Sequence, residues 1–171
     1  SAQLFDLLSA PPGDAFVDFY REMGCLKVSD VIEEKWFFSG KKTLSDTSME
    51  LQKRIQQRAH FLCHGMKAEQ RDVLQSAESA LHNINVFEIA LVTVSRSFRG
   101  LVKERESTAC FASDGSVLIT RDFDYFDVAA LLAKLIFTEP KMSDSLLLSS
   151  FLSMSLKHLQ SKGFGLDLFT E

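Results

Sequence analysis

Cysteine is scarce in this chain: Cys25, Cys63 and Cys110 are the three among 171 residues. The count is odd and no pair stands at a metal-ligand spacing, which argues against a disulfide framework and a Cys-based zinc site. Free thiols in a reducing compartment are the expectation. No apolar run reaches the ~18 residues that a membrane span needs. No basic segment leads into an apolar one as in a signal peptide. Positive charge is not in excess either. A formal net charge of −4 argues against broad, sequence-independent nucleic-acid binding and leaves room for a local basic patch alone. A phosphate loop, a dinucleotide fingerprint and a Gly-rich cradle are all missing, so no cofactor is expected. These absences point to an intracellular protein, cytoplasmic or nuclear, with no membrane partner. The opening Ser1-Ala2 in place of Met suggests a fragment of a larger multidomain protein.

What is present fits one packed domain over 1–171. The 46% hydrophobic and 25% charged fractions are ordinary for a globular chain of this length. Fifteen phenylalanines stand out, and they imply a large aromatic core, an apolar partner surface, or both. Short helices are expected over 2–8 and 15–23, the second capped by Asp14 and stopped by Gly24, with Phe16, Phe19 and Tyr20 facing the core. Residues 34–38 read as a strand or an extended connection. The polar stretch 39–47, with Gly40-Lys41-Lys42, is the best candidate for a mobile loop.

Over 48–64 the spacing of Leu51, Ile55, Ala59 and Leu62 predicts a helix, and 68–82 predicts another with Leu74, Ala77 and Leu81 inward and Asn83 as its stop. The most informative stretch follows. A long apolar run over 84–94, then 107–112, an Asp114-Gly115 turn and 116–121, read as a three-stranded antiparallel unit. Phe87, Ile89 and Leu91 occupy one register of the first strand, while Val92, Val94 and Phe98 occupy the other. Either both faces are covered or a bulge lies near 90–92. Asp124 or its neighbour should cap a helix striped by Val128, Leu131, Leu132, Leu135 and Ile136, ending before Pro140. Ser143 or Asp144 should cap the last helix, with Leu148, Phe151, Leu152, Leu156 and Leu159 inward and a Gly163-Phe164 stop. The expected fold class is α+β, a three-stranded antiparallel sheet packed by about five helices.

No catalytic constellation emerges. His60 and His64 stand one helical turn apart, but Phe-Leu-Cys lies between them where a zinc protease needs a glutamate. Cys63 and Cys110 lack an evident base and orienting partner. Asp122, Asp124 and Asp127 cluster as a divalent-cation site would, yet Asp124 and Asp127 fall at a helix start, where capping explains them without a metal. The basic residues are more suggestive. Lys53, Arg54 and Arg58 lie on the 48–64 helix, and Arg96, Arg99, Lys103 and Arg105 follow the long strand. Arg54, Arg58, Arg96, Arg99 and Lys103 are therefore the candidate contacts for phosphates or an acidic partner. Solvation at the strand end and pairing with Glu104 and Glu106 is the plainer reading.

The segment order also resembles a region of very large, mainly fungal proteins that carry an N-terminal ATPase of the GHKL type and are distantly similar to sacsin and NO VEIN. The resemblance rests on Phe19-Tyr20-Arg21-Glu22-Met23-Gly24, Val28-Ser29-Asp30-Val31-Ile32-Glu33-Glu34 and residues 54–62. It continues through Val94-Ser95-Arg96-Ser97-Phe98-Arg99-Gly100, residues 103–109, Phe126-Asp127-Val128-Ala129 and Lys162-Gly163-Phe164. In that family the region lies downstream of the ATPase domain. The family's ATP-binding Asn, Asp-x-Gly and Gly-rich segments are not matched, which implies no ATP hydrolysis by this segment. The resemblance assigns no binding role to Arg96, Arg99 or Lys162. It implies a non-catalytic structural or protein-interaction module that meets a protein partner or other domains of its own chain. Nucleic-acid binding through the basic residues is the alternative. An exposed Phe/Leu patch near the final helix or the Lys41 loop would favour the module.

Overall fold

Ser45 and Ser48 begin a helix of 19 residues by capping each other. Ser48 N–H donates to Ser45 Oγ at 3.1 Å and Ser45 N–H to Ser48 Oγ at 3.0 Å, so a serine takes the place of the usual Glu of a capping box. The helix, α1, spans Asp46–His64 in a computed structural model that describes residues 19, 22–24, 31–64, 71–98, 100–137 and 140–161, with backbone alone for 64, 71–75 and 160. Leu51, Ile55, Ala59 and Leu62 are all buried, as their spacing predicts. Four further helices are described: α2 (Arg71–His82), α3 (Tyr125–Ile136), α4 (Met142–Ser153) and α5 (Leu156–Ser161). The expected helices before Gly24, the inward Leu74, the Gly163 stop, Cys25 and Arg99 lie outside the described residues or side chains. Phe19, expected in the core, is 55% exposed.

Six strands join the described helices: β1 (Glu33–Ser39), β2 (Val86–Glu88), β3 (Leu91–Phe98), β4 (Leu101–Ser107), β5 (Ala109–Phe111) and β6 (Val117–Ile119). They form two three-stranded sheets, one antiparallel in the order β1-β3-β4 and one mixed in the order β2-β6-β5. The α+β class stands, but the expected single three-stranded unit is corrected. The apolar run 84–94 is two strands in two different sheets, and β2 pairs parallel to β6, with Val86 opposite Val117 and Glu88 opposite Ile119. The hydrophobic phase change near residue 90 marks this exchange of sheets. It is permitted by Gly40, which lies against Ala90 so closely that a Cβ there would sit 2.9 Å from the Ala90 Cβ. The hairpin half of the prediction is present. β5 and β6 are antiparallel, with Cys110 opposite Leu118, and the loop between them closes with Gly115 at φ +80°.

The chain divides into two compact units, Ser1–Lys35 with Ser95–Lys103, and Trp36–Val94 with Glu104–Glu171. In the second, β6 is buried throughout, and its alternation sorts the core into two parts. Val117 and Ile119 join Leu51, Ile55, Leu62, Leu81, Leu132 and Leu148 on the helical side. Leu118 joins Ile89, Val92, Cys110 and Ala112 on the other, backed by Trp36 and Phe87. A strand covered on both faces has no polar side, which is why Val117-Leu118-Ile119 is uniformly apolar.

The segment 39–47, expected to be mobile, is pinned instead. Thr43 and Glu88 exchange backbone hydrogen bonds of 3.0 and 2.8 Å as an isolated antiparallel bridge. Lys42 Nζ donates to Asp114 Oδ2 at 2.7 Å and to the Ser116 hydroxyl at 3.1 Å, and it sits over the Phe87 ring. A sequence of polar and small residues reads as a free loop because its partners lie more than 40 positions away. The last predicted helix is likewise two. It breaks at Met154-Ser155, and the Ser155 hydroxyl accepts from His158 N–H to start α5. Asp144 works at the α4 start by accepting from the backbone N–H of Lys141, the N-cap residue, rather than as the cap itself. In α3, Leu135 is 37% exposed and leaves the predicted stripe, while Val128, Leu131, Leu132 and Ile136 are buried.

Candidate functional site

Arg54 and Arg58 stand one turn apart on α1, and both reach the carboxyl end of α4. Breaking a helix at Met154 leaves its last carbonyls without intrahelical donors and gathers partial negative charge there. Arg58 Nη1 donates to the carbonyls of Phe151 and Leu152, the second at 2.9 Å, and Nη2 to that of Met154 at 2.7 Å. Arg54 Nη1 donates to Leu152 O at 3.0 Å and to the Tyr125 hydroxyl at 2.9 Å, and Nη2 to Glu50 at 2.6 Å. Arg58 is 2% exposed, and among the described residues its Nε is buried without a hydrogen bond. Burial and the Arg54 charge lower its pKa to about 10, with Tyr125 opposing, so it remains a cation at neutral pH. The pair expected to meet a partner instead forms an internal joint between α1 and α4.

The other basic candidates sit differently. Arg96 Nε donates to Glu34 at 2.8 Å, with its side chain 46% exposed. Lys103 lies on β4, whose residues from Leu101 to Glu106 are all exposed. The expected pairing of the strand-end bases with Glu104 and Glu106 is not found among the described residues.

Two members of the acidic cluster after β6, Asp124 and Asp127, are committed to helix-start geometry. Asp124 is the N-cap of α3 and accepts from Phe126 N–H at 2.8 Å. Asp127 Oδ2 accepts from the Ser107 hydroxyl and from both the backbone N–H and the hydroxyl of Thr108. The Thr108 oxygen in turn accepts from Asp124 N–H at 2.8 Å. Thr108 thus carries the function that a reciprocal cap would perform within the helix, a long-range arrangement with no local sequence signal. Among the described residues no group of three or more His, Cys, Asp or Glu is placed to hold a metal.

His60 on α1 contacts Glu78 on α2 at 2.9 Å, which ties the two helices, and His82, on α2 itself, approaches the same carboxylate at 3.8 Å. His60 therefore turns towards α2. Cys63 and Cys110 are buried. Burial, then the nearby Glu78, pushes the Cys63 thiol up to about 12. Burial pushes Cys110 up to about 11 against a small opposing pull from Lys42. A thiol nucleophile needs the opposite shift.

The surface shows large apolar side chains in both regions singled out by sequence. Phe37, Phe38, Leu44 and Met49 are 54, 45, 64 and 49% exposed around the Lys41 segment. On α4, Ser145, Leu148, Phe151 and Leu152 face inward, while Met142, Leu146 and Leu147 remain 68, 56 and 45% exposed. The sequence signal for that second face was available. Leu146-Leu147-Leu148 cannot all face one side of a helix. Among the described residues no helix is long and apolar enough to cross a membrane.

No protein-family model, no curated protein and no solved structure gives a significant match to this chain.

Proposed function

We propose that this chain is a non-catalytic structural or protein-interaction module of a larger, chaperone-like ATPase protein. The observation that carries the reading is α4, apolar on both of its faces. Its inner side fills the core with Leu148, Phe151 and Leu152, and its outer side holds Met142, Leu146 and Leu147 against water. A helix of that kind is ordinarily covered on both sides, and exposed apolar groups rimmed by serines such as Ser143 and Ser150 suit a protein contact. The groups that chemistry would need are occupied: Asp124 and Asp127 hold the α3 start, and two thiols are buried and protonated. The ATPase context rests on the segment resemblance, and nucleotide hydrolysis belongs to another part of the full-length protein.

Nucleic-acid binding through the basic residues has less support, because Arg54 and Arg58 are taken up by α4. One experiment separates the two. The chain and its Met142→Glu/Leu146→Glu variant are used as paired baits in native cell extract, with and without nuclease. Proteins that survive nuclease and are lost with the variant support the module. Recovery that collapses with nuclease and is indifferent to the variant supports nucleic acid and sinks the first reading. Both substitutions lie on the solvent side, so circular dichroism should report an unchanged fold.

A further inference from the structure

Every residue of β4 from Leu101 to Glu106 is exposed, and among the described residues β4 is an edge of its sheet. An edge strand presents a row of unpaired backbone donors and acceptors, and proteins commonly place charge there to prevent aggregation. Here the charges are sorted by sign. Alternation along a strand puts Leu101, Lys103 and Arg105 on one face and Val102, Glu104 and Glu106 on the other. None of the four charged residues forms an ion pair among the described residues.

This sorting decides which strands can dock. Two identical edges join antiparallel about a two-fold axis normal to the sheet. Directly opposed residues then share a face, so their numbers differ by zero, two or another even step. With Lys103 on the axis it meets its own copy. With Glu104 on the axis, Lys103 meets Arg105. With Arg105 on the axis, Glu104 meets Glu106, and with Glu106 on the axis it meets itself. Every central register opposes like charges, which is destabilising. The four registers centred on a charged residue of β4 are thus disfavoured for a second copy, whereas a strand of the reciprocal pattern matches the edge at each charged position.

We infer that β4 is a docking edge for an extended segment of a different protein, added as an antiparallel strand, with acidic residues opposite Lys103 and Arg105 and basic residues opposite Glu104 and Glu106. The exposed Leu101 and Val102 add an apolar end, opposite which β-branched residues fit. The inference deepens the reading of the chain as an interaction module and uses a surface other than α4.

The probe is the labelled peptide Lys-Glu-Lys-Glu-Val-Val, titrated with the full chain at low salt and followed by fluorescence polarisation. Saturable binding below about 1 mM is expected. Reversing both bases, Lys103→Glu with Arg105→Glu, should weaken it about tenfold. The same peptide N-methylated at alternate residues should lose binding, because a strand needs its backbone N–H groups. Failure to bind, or equal binding of the N-methylated peptide, overturns the inference. Nuclease-resistant partners that still depend on Met142 and Leu146 would leave the broader reading standing in that case.

Discussion

Replacing Arg58 by Met should destabilise the chain more than replacing any exposed base. Three carbonyls accept from its guanidinium, those of Phe151, Leu152 and Met154. Leu152 O keeps a second donor in Arg54, so two acceptors lose their side-chain donor. An acceptor stranded in a buried site costs about 1–3 kcal/mol. Loss of a cation from a helix carboxyl end adds up to about 2 kcal/mol. Removing the buried charge also removes its desolvation cost, which offsets part of this. The net expectation is about 2–4 kcal/mol, a large fraction of the roughly 5–15 kcal/mol that holds a domain together. Arg54→Ala should cost less, about 1–2 kcal/mol, because its strongest contact, to Glu50, is a surface pair and Leu152 O keeps Arg58. Arg58→Lys keeps the charge but presents one compact donor group in place of a planar fork, and should fall between them. Urea unfolding at neutral pH, followed by far-UV circular dichroism with the slope compared across variants, measures all three. An Arg58→Met cost below about 0.5 kcal/mol, within the range of ordinary surface substitutions, would refute the joint.

The Lys42 ammonium, then the Ser116 hydroxyl and backbone N–H, hold the Asp114 carboxyl well below the usual carboxylate range. A depressed folded pKa gives stability that is present above the unfolded value of about 3.9 and is lost as pH falls through the folded value. A carboxyl-carbon NMR titration should therefore place Asp114 below that value, and Lys42→Met should move the midpoint up towards it; an unmoved midpoint would remove the ammonium from the explanation. Gly40→Ala should cost more than Gly115→Ala. Both have positive φ, worth about 1 kcal/mol, but an added Cβ meets the Ala90 Cβ at 2.9 Å at the first and nothing within 4 Å at the second. Equal unfolding midpoints for the two variants would contradict the close approach. In a Cys25→Ser background, Cys63 and Cys110 should resist a thiol reagent at pH 8 and react fully in urea. Prompt reaction of either thiol in the native protein would mean that its site is open.

What the sequence determined by itself is the part of the fold that local physics governs. Periodicity located the buried stripe Leu51, Ile55, Ala59 and Leu62, and capping chemistry located Asp124. The turn at Asp114-Gly115 follows from the need for positive φ. The apolar phase change near residue 90 was visible too, though not its meaning. Tertiary structure decided the rest, because each remaining feature joins residues far apart in the chain. Val86 chose Val117 as a parallel neighbour, and 39–47 became fixed by Glu88 and Asp114. Two arginines that look like a phosphate contact on a helical wheel turned inward. Breaking α4 at Met154 created carbonyls that needed donors, and α1 placed Arg54 and Arg58 within reach of them.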